Sequence, residues 1–447
     1  MKTPGIWTRL RLGFGLLLAI VVIICSCLFF LYPAAIIIRL LADTELKETG
    51  MPSLVPEWFE ATSARHAQWA QHYLDSEYAK TLHHSEVAPT EWPMFGAVFY
   101  LVTAEELASR GMINPESPAI HSAIDLSATI VASETTAEWV RQKWGEQYLA
   151  EENIFYRMLL LMGLSSYEKL ARDGRYNELL TRQRDLLSRE IDEAPWHLRD
   201  DYPGECYPSD ILWAVAAIQR TNQALGDRDT ELPEKLMTAF DQDPVAVEGL
   251  PAFQMHSRKG WVLQDPRGRG NSGLLLFAAE LDPQIARQWY AHHEEQFWKE
   301  NRWAVGFREH PNDSTTDFMD VDSGPVLFDF GTVASALGIG AAHSVGRLDH
   351  VVPLTLEAVA CSWPTPFGFL VPSIMGKLGA DSRSLGEVAL LFSMSRPNQT
   401  DGIIPYRGEV PNMVWGMLFF YTGAGLLFIW LEIRAIRKFF RALRDLR

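Results

Sequence analysis

The sequence from Tyr202 to Arg220 reads YPGECYPSDILWAVAAIQR, a polar loop that runs straight into an apolar stretch. Two prolines and a glycine interrupt the loop, and Ser209 or Asp210 is a suitable N-cap for the helix that follows. A helix that is apolar on all sides is normally buried. This stretch therefore predicts a buried helix whose leading loop gathers carboxyl, thiol and phenol side chains.

The same plan, an apolar helix followed by an amphipathic one, recurs along the chain. Because the units are separated by roughly 50 to 60 residues, they indicate a repeat of helical hairpins. No stretch shows the alternation typical of strands. We predict an all-α fold, a closed (α/α) toroid of helical hairpins over residues 50–410. The apolar helices would begin near Asn153, Asp210, Asn271, Ser323 and Ser384.

Two apolar stretches, residues 12–38 and 413–431, lie outside this repeat and are long enough to cross a bilayer. The short N-terminus 1–11 and the tail 432–447 that flank them are basic. The positive-inside rule then predicts that both termini are cytoplasmic and that the main domain is extracytoplasmic. A cleaved signal peptide or a lipoprotein site at Cys27 is the alternative for the first stretch.

The net charge of −16 makes nucleic acid an improbable partner, because phosphate binding needs a basic face. Cys25 and Cys27 belong to the first apolar stretch. The sequence leaves open whether Cys206 and Cys361 are free or bonded to each other, and one distant pair is no disulfide framework.

Several motifs resemble bacterial membrane proteins that carry a linalool dehydratase/isomerase-like domain, over roughly residues 55–395. They are NIFYRMLLLMGLSSYEKLARDGRY, YPGECYPSDILWAVAAI, GFREHP and DVDSGPVLFDFGTVASALGIGAA. The resemblance implies an (α/α)6 barrel in the bacterial inner (plasma) membrane. It also implies cofactor-free addition or removal of water on a small terpene alcohol. Aspartate, histidine, tyrosine and cysteine side chains would act as acids and bases, and Cys206 lies where that family has a catalytic thiol.

The candidate catalytic residues are acids and bases in polar loops that precede apolar helices. A pair of carboxyl groups beside an apolar cavity has its pKa values pushed apart, which supplies an acid and a base. Asp320 and Asp322 precede Gly324 as if at a helix start, where they would cap the helix or enter the site. We select Glu205, Cys206, Asp210, His256 and Asp322.

The candidate substrate-binding residues are aromatic or cationic side chains of the same loops. Arg308 has structural ion pairing as its alternative role. No histidine has metal-ligand spacing to cysteine or carboxylate, so we predict no metal. The resemblance implies that no cofactor is needed. The selected residues are Trp92, Tyr202, Tyr207 and Arg308.

Three functions are consistent with these patterns. The first is a membrane-anchored lyase or isomerase that acts on a small, isoprenoid-like alcohol. The second is a glycan-active (α/α)6 hydrolase or lyase of the cell envelope, by analogy of fold alone. The third is an ectodomain that binds a ligand without catalysis. The expected partners are a small molecule, an apolar alcohol or a glycan, and the lipid bilayer.

Overall fold

Helices make up most of the chain in this computed structural model. The structure describes residues 6–150, 152–228, 230–311, 319–320, 323–380 and 385–445. The prediction of a mainly helical chain is confirmed. The predicted site residue Asp322 lies outside the described residues.

The described residues contain eighteen α-helices, several of them almost free of polar residues. In chain order they are α1 Ile6–Ser26, α2 Tyr32–Ala42, α3 Thr44–Thr49, α4 Val55–Asp75, α5 Val87–Ser109, α6 Pro118–Ala132, α7 Glu138–Trp144, α8 Ile154–Ala171, α9 Asn177–Asp192, α10 Pro208–Leu225, α11 Leu232–Phe240, α12 Gly268–Leu281, α13 Pro283–Phe297, α14 Thr332–Ser344, α15 Leu348–Cys361, α16 Leu370–Ala380, α17 Leu385–Ser395 and α18 Asn412–Asp445. A π-helical turn, Cys27–Leu31, joins α1 to α2 without a break.

The prediction that the chain has no strands is wrong. Short antiparallel hairpins occupy several loops, because backbone groups that cross the packed helix ends need hydrogen-bond partners. The strands are β1 Ala246–Val247, β2 Leu250–Pro251, β3 Gln254–His256, β4 Trp261–Gln264, β5 Trp298–Glu300, β6 Val305–Phe307, β7 Met319–Asp320, β8 Gly324–Leu327, β9 Phe330–Gly331, β10 Pro364–Thr365 and β11 Gly368–Phe369. They form pairs, except that β8 joins β7 and β9 into a three-stranded sheet.

Six buried helices, which we call the central helices, pack each against the next. Along this series α5 contacts α8, α8 contacts α10, α10 contacts α12, α12 contacts α14, α14 contacts α17, and α17 contacts α5 again. The starts of α8, α10, α12 and α17 agree with the predicted repeat. The start of α14 does not, because β8 and β9 lie between Ser323 and the helix.

The remaining helices of the domain pack against the central ones. Helices α9, α11, α13 and α15 each follow a central helix in the chain and pack against it, while α4, α6 and α16 cover α5, α8 and α17. The central helices α5, α10, α12 and α17 run in the same direction, because the residues at their C-terminal ends meet in one ion cluster. Their first turns and preceding loops accordingly share the opposite end, which we call the N-terminal end of the domain.

Two layers of side chains fill the space between the central helices. The upper layer, the aromatic layer, has Phe99 stacked on Phe392 at 4.5 Å and Trp213 edge-on to Phe277 at 4.8 Å. The lower layer, the buried ion cluster, lies toward the C-terminal ends of the helices. It consists of Glu105, Glu106, Arg220, Glu280 and Arg396.

Two helical stretches, Gly13–Ala42 and Asn412–Arg441, are long and apolar enough to cross a membrane. They pack against each other, with the rings of Phe30 and Phe428 5.5 Å apart. Each stretch is also hydrogen-bonded to the domain. The indole of Trp363 donates to the carbonyl of Phe29 in the first stretch at 2.6 Å, and the hydroxyl of Tyr421 in the second stretch donates to the carbonyl of Ala360 at 3.0 Å.

Candidate functional site

The loop before α10 folds into a tight turn that faces the N-terminal end of the domain. The amide of Asp201 donates to the carbonyl of Glu205 at 2.7 Å, and the turn is closed by Gly204 at φ +82°. A residue with a side chain is strained at that φ, so glycine suits this position. The carbonyl of Cys206 then accepts from the amide of Met255 at 2.9 Å, which ties the loop to the β3–β4 hairpin.

Asp201 is fully buried beside other acidic groups. One oxygen of its carboxyl group accepts from the amide of Tyr207 at 2.7 Å, and the other has no hydrogen-bond partner among the described residues. Burial, and after it the nearby charge of Asp210, raises the pKa of Asp201 well above its usual range. Burial and the neighbouring negative charge both favour the protonated form of this carboxyl group, so Asp201 is a candidate proton donor.

Tyr202 links this loop to the first turns of α5. Its hydroxyl donates to Glu91 at 2.6 Å, and the ammonium group of Lys143 lies 3.7 Å from the centre of its ring. Burial and the neighbouring Glu91 carboxylate raise the pKa of Tyr202 well above its usual range. Burial lowers the pKa of Lys143, although Glu205 and Glu91 oppose that shift.

Glu205 and Tyr207 form a second phenol–carboxylate pair. The Tyr207 hydroxyl donates to the carboxylate of Glu205 at 3.1 Å and accepts from the side-chain amide of Gln254 at 3.3 Å. The Tyr207 ring is edge-on to Phe253, with 5.4 Å between ring centres, and the guanidinium group of Arg267 lies over that phenyl ring. These contacts connect the loop before α10 to the start of α12.

The thiol of Cys206 is free and has no exposed surface. Burial, followed by the charges of Asp201, Asp200 and Asp210, raises its pKa well above the usual range. The thiol is therefore protonated at neutral pH, which suits a proton donor and does not suit a nucleophile. Cys361 is also free, so the two cysteines outside the first apolar stretch are not bonded.

Asp210 lies in the first turn of α10 and does not cap it, contrary to one reading of the sequence. The N-cap residue is Tyr207, followed by Pro208, and neither Ser209 nor Asp210 has the capping position. The carboxylate of Asp210 accepts from the hydroxyl of Ser209 at 3.2 Å. Asp210 also contributes to the raised pKa values of Asp201, Tyr202 and Cys206, which places its charge within this group.

The other selected residues lie on other elements of the chain. His256 lies on β3, where its ring is edge-on to Trp261 at 6.2 Å. Trp92 follows Glu91 on α5 and is half-buried. Arg308 directly follows β6, and its backbone amide donates to the carbonyl of Phe297 at the end of α13 at 2.8 Å. The next residue, Glu309, accepts from the amide of Gly268 at the start of α12 at 2.9 Å. Asp320 is in β7, so its predicted place at a helix start is wrong.

The sequence argument missed residues that complete the group. Asp200 and Asp201 directly precede Tyr202, and a search for carboxyl pairs would have found them. Glu91 and Lys143 carry no such signal, because only the packing of the loop against α5 and α7 brings them near Tyr202. We name the whole group the acid cluster: Glu91, Lys143, Asp200, Asp201, Tyr202, Glu205, Cys206, Tyr207 and Asp210.

The acid cluster combines proton donors with carboxylates at the N-terminal end of the domain. Asp201 and Cys206 are candidate proton donors, and Glu91, Glu205 and Asp210 are candidate proton acceptors. Two surface depressions of the described chain lie elsewhere, one beside His197 and α11 and one between Lys47 and Tyr406. No group of three or more His, Cys, Asp or Glu side chains with the geometry of a metal site occurs among the described residues.

No protein-family model matches the chain, and a search of curated proteins finds no matching relative.

Proposed function

We propose that the chain is a membrane-anchored (α/α)6 toroid. The circuit of central helices from α5 through α17 and back to α5, each covered by an outer helix, supports this architecture. Inner helices of a toroid contact neighbours on all sides, which fits the almost complete burial of α8 from Ile154 to Glu168. The aromatic layer and the buried ion cluster would then fill its centre.

We infer that α1 and α18 cross the same bilayer side by side. Their mutual packing and their joint attachment to the end of α15 support a topology in which both chain termini are on one side of that bilayer. The basic residues at both termini favour the cytoplasm for that side, and the domain is then extracytoplasmic. Reporter fusions at each terminus test this topology.

We further propose that the acid cluster catalyses the cofactor-free dehydration or isomerisation of a small isoprenoid-like alcohol. The observation that carries the proposal is the buried carboxyl group of Asp201, whose pKa is raised by burial and by the charge of Asp210, beside the buried thiol of Cys206. Dehydration of an alcohol needs an acid that protonates the departing hydroxyl group and a base that removes a proton from the adjacent carbon.

In this scheme Asp201 gives its proton to the hydroxyl group of the alcohol, and water leaves with the electrons of the C–O bond. Asp210 or Glu91 takes the proton from carbon, and the C–H electrons form the new double bond. The aromatic layer supplies an apolar lower boundary for the hydrocarbon part of the substrate. Transfer of the proton from the base back to Asp201 restores the starting state.

The test uses the full chain in lipid nanodiscs with a series of tertiary and primary prenyl alcohols. Gas chromatography with mass detection follows loss of water, and D2O reports the proton exchanged at carbon. Asp201→Asn should lower the rate by about 100-fold or more, the usual contribution of a general acid.

Asp192→Asn is the matched control, because Asp192 pairs with Lys235 on the exposed outside of the domain. Turnover that survives Asp201→Asn would contradict the assignment of the acid. Complete absence of water loss or isomerisation across the alcohol series would contradict the reaction itself.

A further inference from the structure

The place where the two apolar helices leave the domain fixes which end of the domain faces the bilayer. Both are attached to the last turn of α15 and the residues after it, through Ala360 and Trp363. Beyond these contacts the exposed apolar side chains of α1, such as Phe14 and Leu18, extend away from the domain. The bilayer therefore begins near the level of Trp363.

Trp363 lies at the N-terminal end of the domain. Helix α15 runs back from the C-terminal end of α14, so its own last turn lies near the start of the central helices. The β10–β11 hairpin that follows it confirms the placement. The amide of Phe369 in this hairpin donates to Glu387 in the first turn of α17 at 3.2 Å.

Large apolar side chains are exposed in the hairpins and the helix at this same end. All four residues of β4 are exposed, including Trp261 at 60%. A strand normally buries one of its two faces, so full exposure of both is unusual. Phe328, in the turn before α14, is 87% exposed. The complete rim consists of Trp261, Val262, Leu263, Leu327, Phe328, Phe367, Val371, Ile374 and Met375.

The rim also has the cationic residues typical of a membrane interface. Arg258 has a 78% exposed side chain, and the ammonium group of Lys259 lies 4.3 Å from the centre of the Trp261 ring. Tryptophan with lysine or arginine is the combination that anchors proteins at the headgroup level. This local charge contrasts with the acidic character of the whole chain.

We propose that this rim inserts into the interface of the same bilayer that holds α1 and α18. The partner is thus a lipid surface, and the three rim hairpins and α16 rest in it around the N-terminal end of the central helices. Soluble proteins rarely expose large apolar surfaces, and contact with lipid would cover the side chains at this end. The inference rests on the proposed membrane anchoring.

The proposal has a consequence for the acid cluster, which lies at the same end of the domain. Cys206 is tied to the β3–β4 hairpin through Met255, and α10 begins two residues later. A route that opens to this cluster from the N-terminal end would open on the bilayer side, so a lipid-soluble alcohol would arrive from the membrane and not from water. This consequence rests in addition on the proposed function.

The test places an environment-sensitive nitrobenzoxadiazole label at single cysteines in the full chain. Cys25, Cys27 and Cys361 are changed to Ser, and the label is attached at Val262→Cys or Phe328→Cys. The matched control is Ile403→Cys, because Ile403 is also an exposed apolar residue (53%) but lies at the opposite end of the domain. Its neighbour Ile404 forms a β-bridge with Arg347, which follows the C-terminal end of α14. Each variant is placed in nanodiscs of phosphatidylethanolamine and phosphatidylglycerol, with and without lipid that carries a doxyl group near the headgroup.

Interfacial segments lie about 5–10 Å into the headgroup boundary, so shallow doxyl lipid should quench the labels at residues 262 and 328 and leave residue 403 bright. Equal, weak quenching at all three positions would overturn the inference. Energy transfer between labelled copies without doxyl quenching would assign the rim to a second copy of the chain, and would overturn it too.

A fourth variant separates failure of the rim from failure of the anchor. It carries the label at Leu18→Cys, with Cys25, Cys27 and Cys361 changed to Ser. Leu18 is eleven helical residues beyond Phe29, or about 16 Å further along α1, so deep doxyl lipid should quench this label if α1 crosses the bilayer. Quenching at residue 18 with bright rim labels would reject the rim inference alone. A bright label at residue 18 would reject the anchoring, and the rim inference with it. None of these readouts depends on turnover.

Discussion

The guanidinium group of Arg220 donates to both carboxylate oxygens of Glu280, each at 2.9 Å, and so joins the C-terminal ends of α10 and α12. The same guanidinium group also donates to Glu105 and Glu106, which connects these helices to α5. Loss of the cation would leave three carboxylates with less compensation in a site closed to water. Removal of one partner from a buried ion pair lowers the stability of the fold strongly, even where the intact pair contributes little net stability.

Arg220→Met should destabilise the domain by about 3–5 kcal/mol, the usual cost of breaking a buried ion pair. Urea unfolding followed by tryptophan fluorescence measures this change. Lys235→Met, which removes the exposed partner of Asp192, is the control and should cost about 1 kcal/mol or less. An Arg220→Met domain as stable as the control would show that the cluster is dispensable.

The same cluster predicts a loss of stability in acid. Although burial opposes it, Arg220 and then Arg396 lower the pKa of Glu280 from 4.5 to about 2. A carboxylate with a lowered pKa stabilises the fold above its unfolded pKa, and that contribution disappears as the pH falls through the folded value. The free energy of unfolding should therefore fall between pH 4.5 and 2, and Glu280→Gln should weaken this dependence.

Buried histidines predict a separate dependence at higher pH. Burial lowers the pKa of His66 to about 3, and its neutral ring stacks on Tyr100 and hydrogen-bonds to Ser127 at 2.9 Å. Since the unfolded chain binds the proton near pH 6.5, stability is lost as the pH falls from 6.5 towards 3. Melting temperatures at pH 7 and pH 5 should differ less in His66→Gln than in the unchanged protein.

Two glycines of the central helices should respond oppositely to the same substitution. An added Cβ at Gly338 would lie 2.4 Å from the Phe307 ring, whereas one at Gly273 would meet its nearest atom at 3.8 Å. Gly338→Ala should cost about 1–3 kcal/mol through overpacking. Gly273→Ala should gain roughly 0.5–1 kcal/mol, because alanine restricts the unfolded chain. Paired urea titrations measure both, and stabilisation by Gly338→Ala would contradict the packing described for α14.

The thiol of Cys206 should resist modification in the folded protein. It has no exposed surface and burial raises its pKa, so little thiolate is available at neutral pH. With Cys25, Cys27 and Cys361 changed to Ser, a maleimide should label the chain only after unfolding, as mass spectrometry will show. Rapid labelling of the native protein would mean that the end of the domain opens around Cys206.

Much of the helical architecture was predictable because each residue carries its own preference for burial. The apolar run from Ile211 to Ile218 marked α10, and similar runs marked α8 and α12 at the right spacing. The two long apolar helices were equally clear. The start of α14 was misplaced, because the turn at Phe328 and the pairing of β8 with β9 depend on neighbours that local pattern does not reveal.

The sequence by itself determined the helical class, the repeat of buried helices and the two apolar stretches at the ends. It also pointed to the loop around Cys206, since composition and spacing are local properties. Only the tertiary structure brought Glu91 and Lys143 to Tyr202, and Arg220 to Glu280. Those contacts join residues 59 to 111 positions apart in the chain, and side-chain packing between helices decides them.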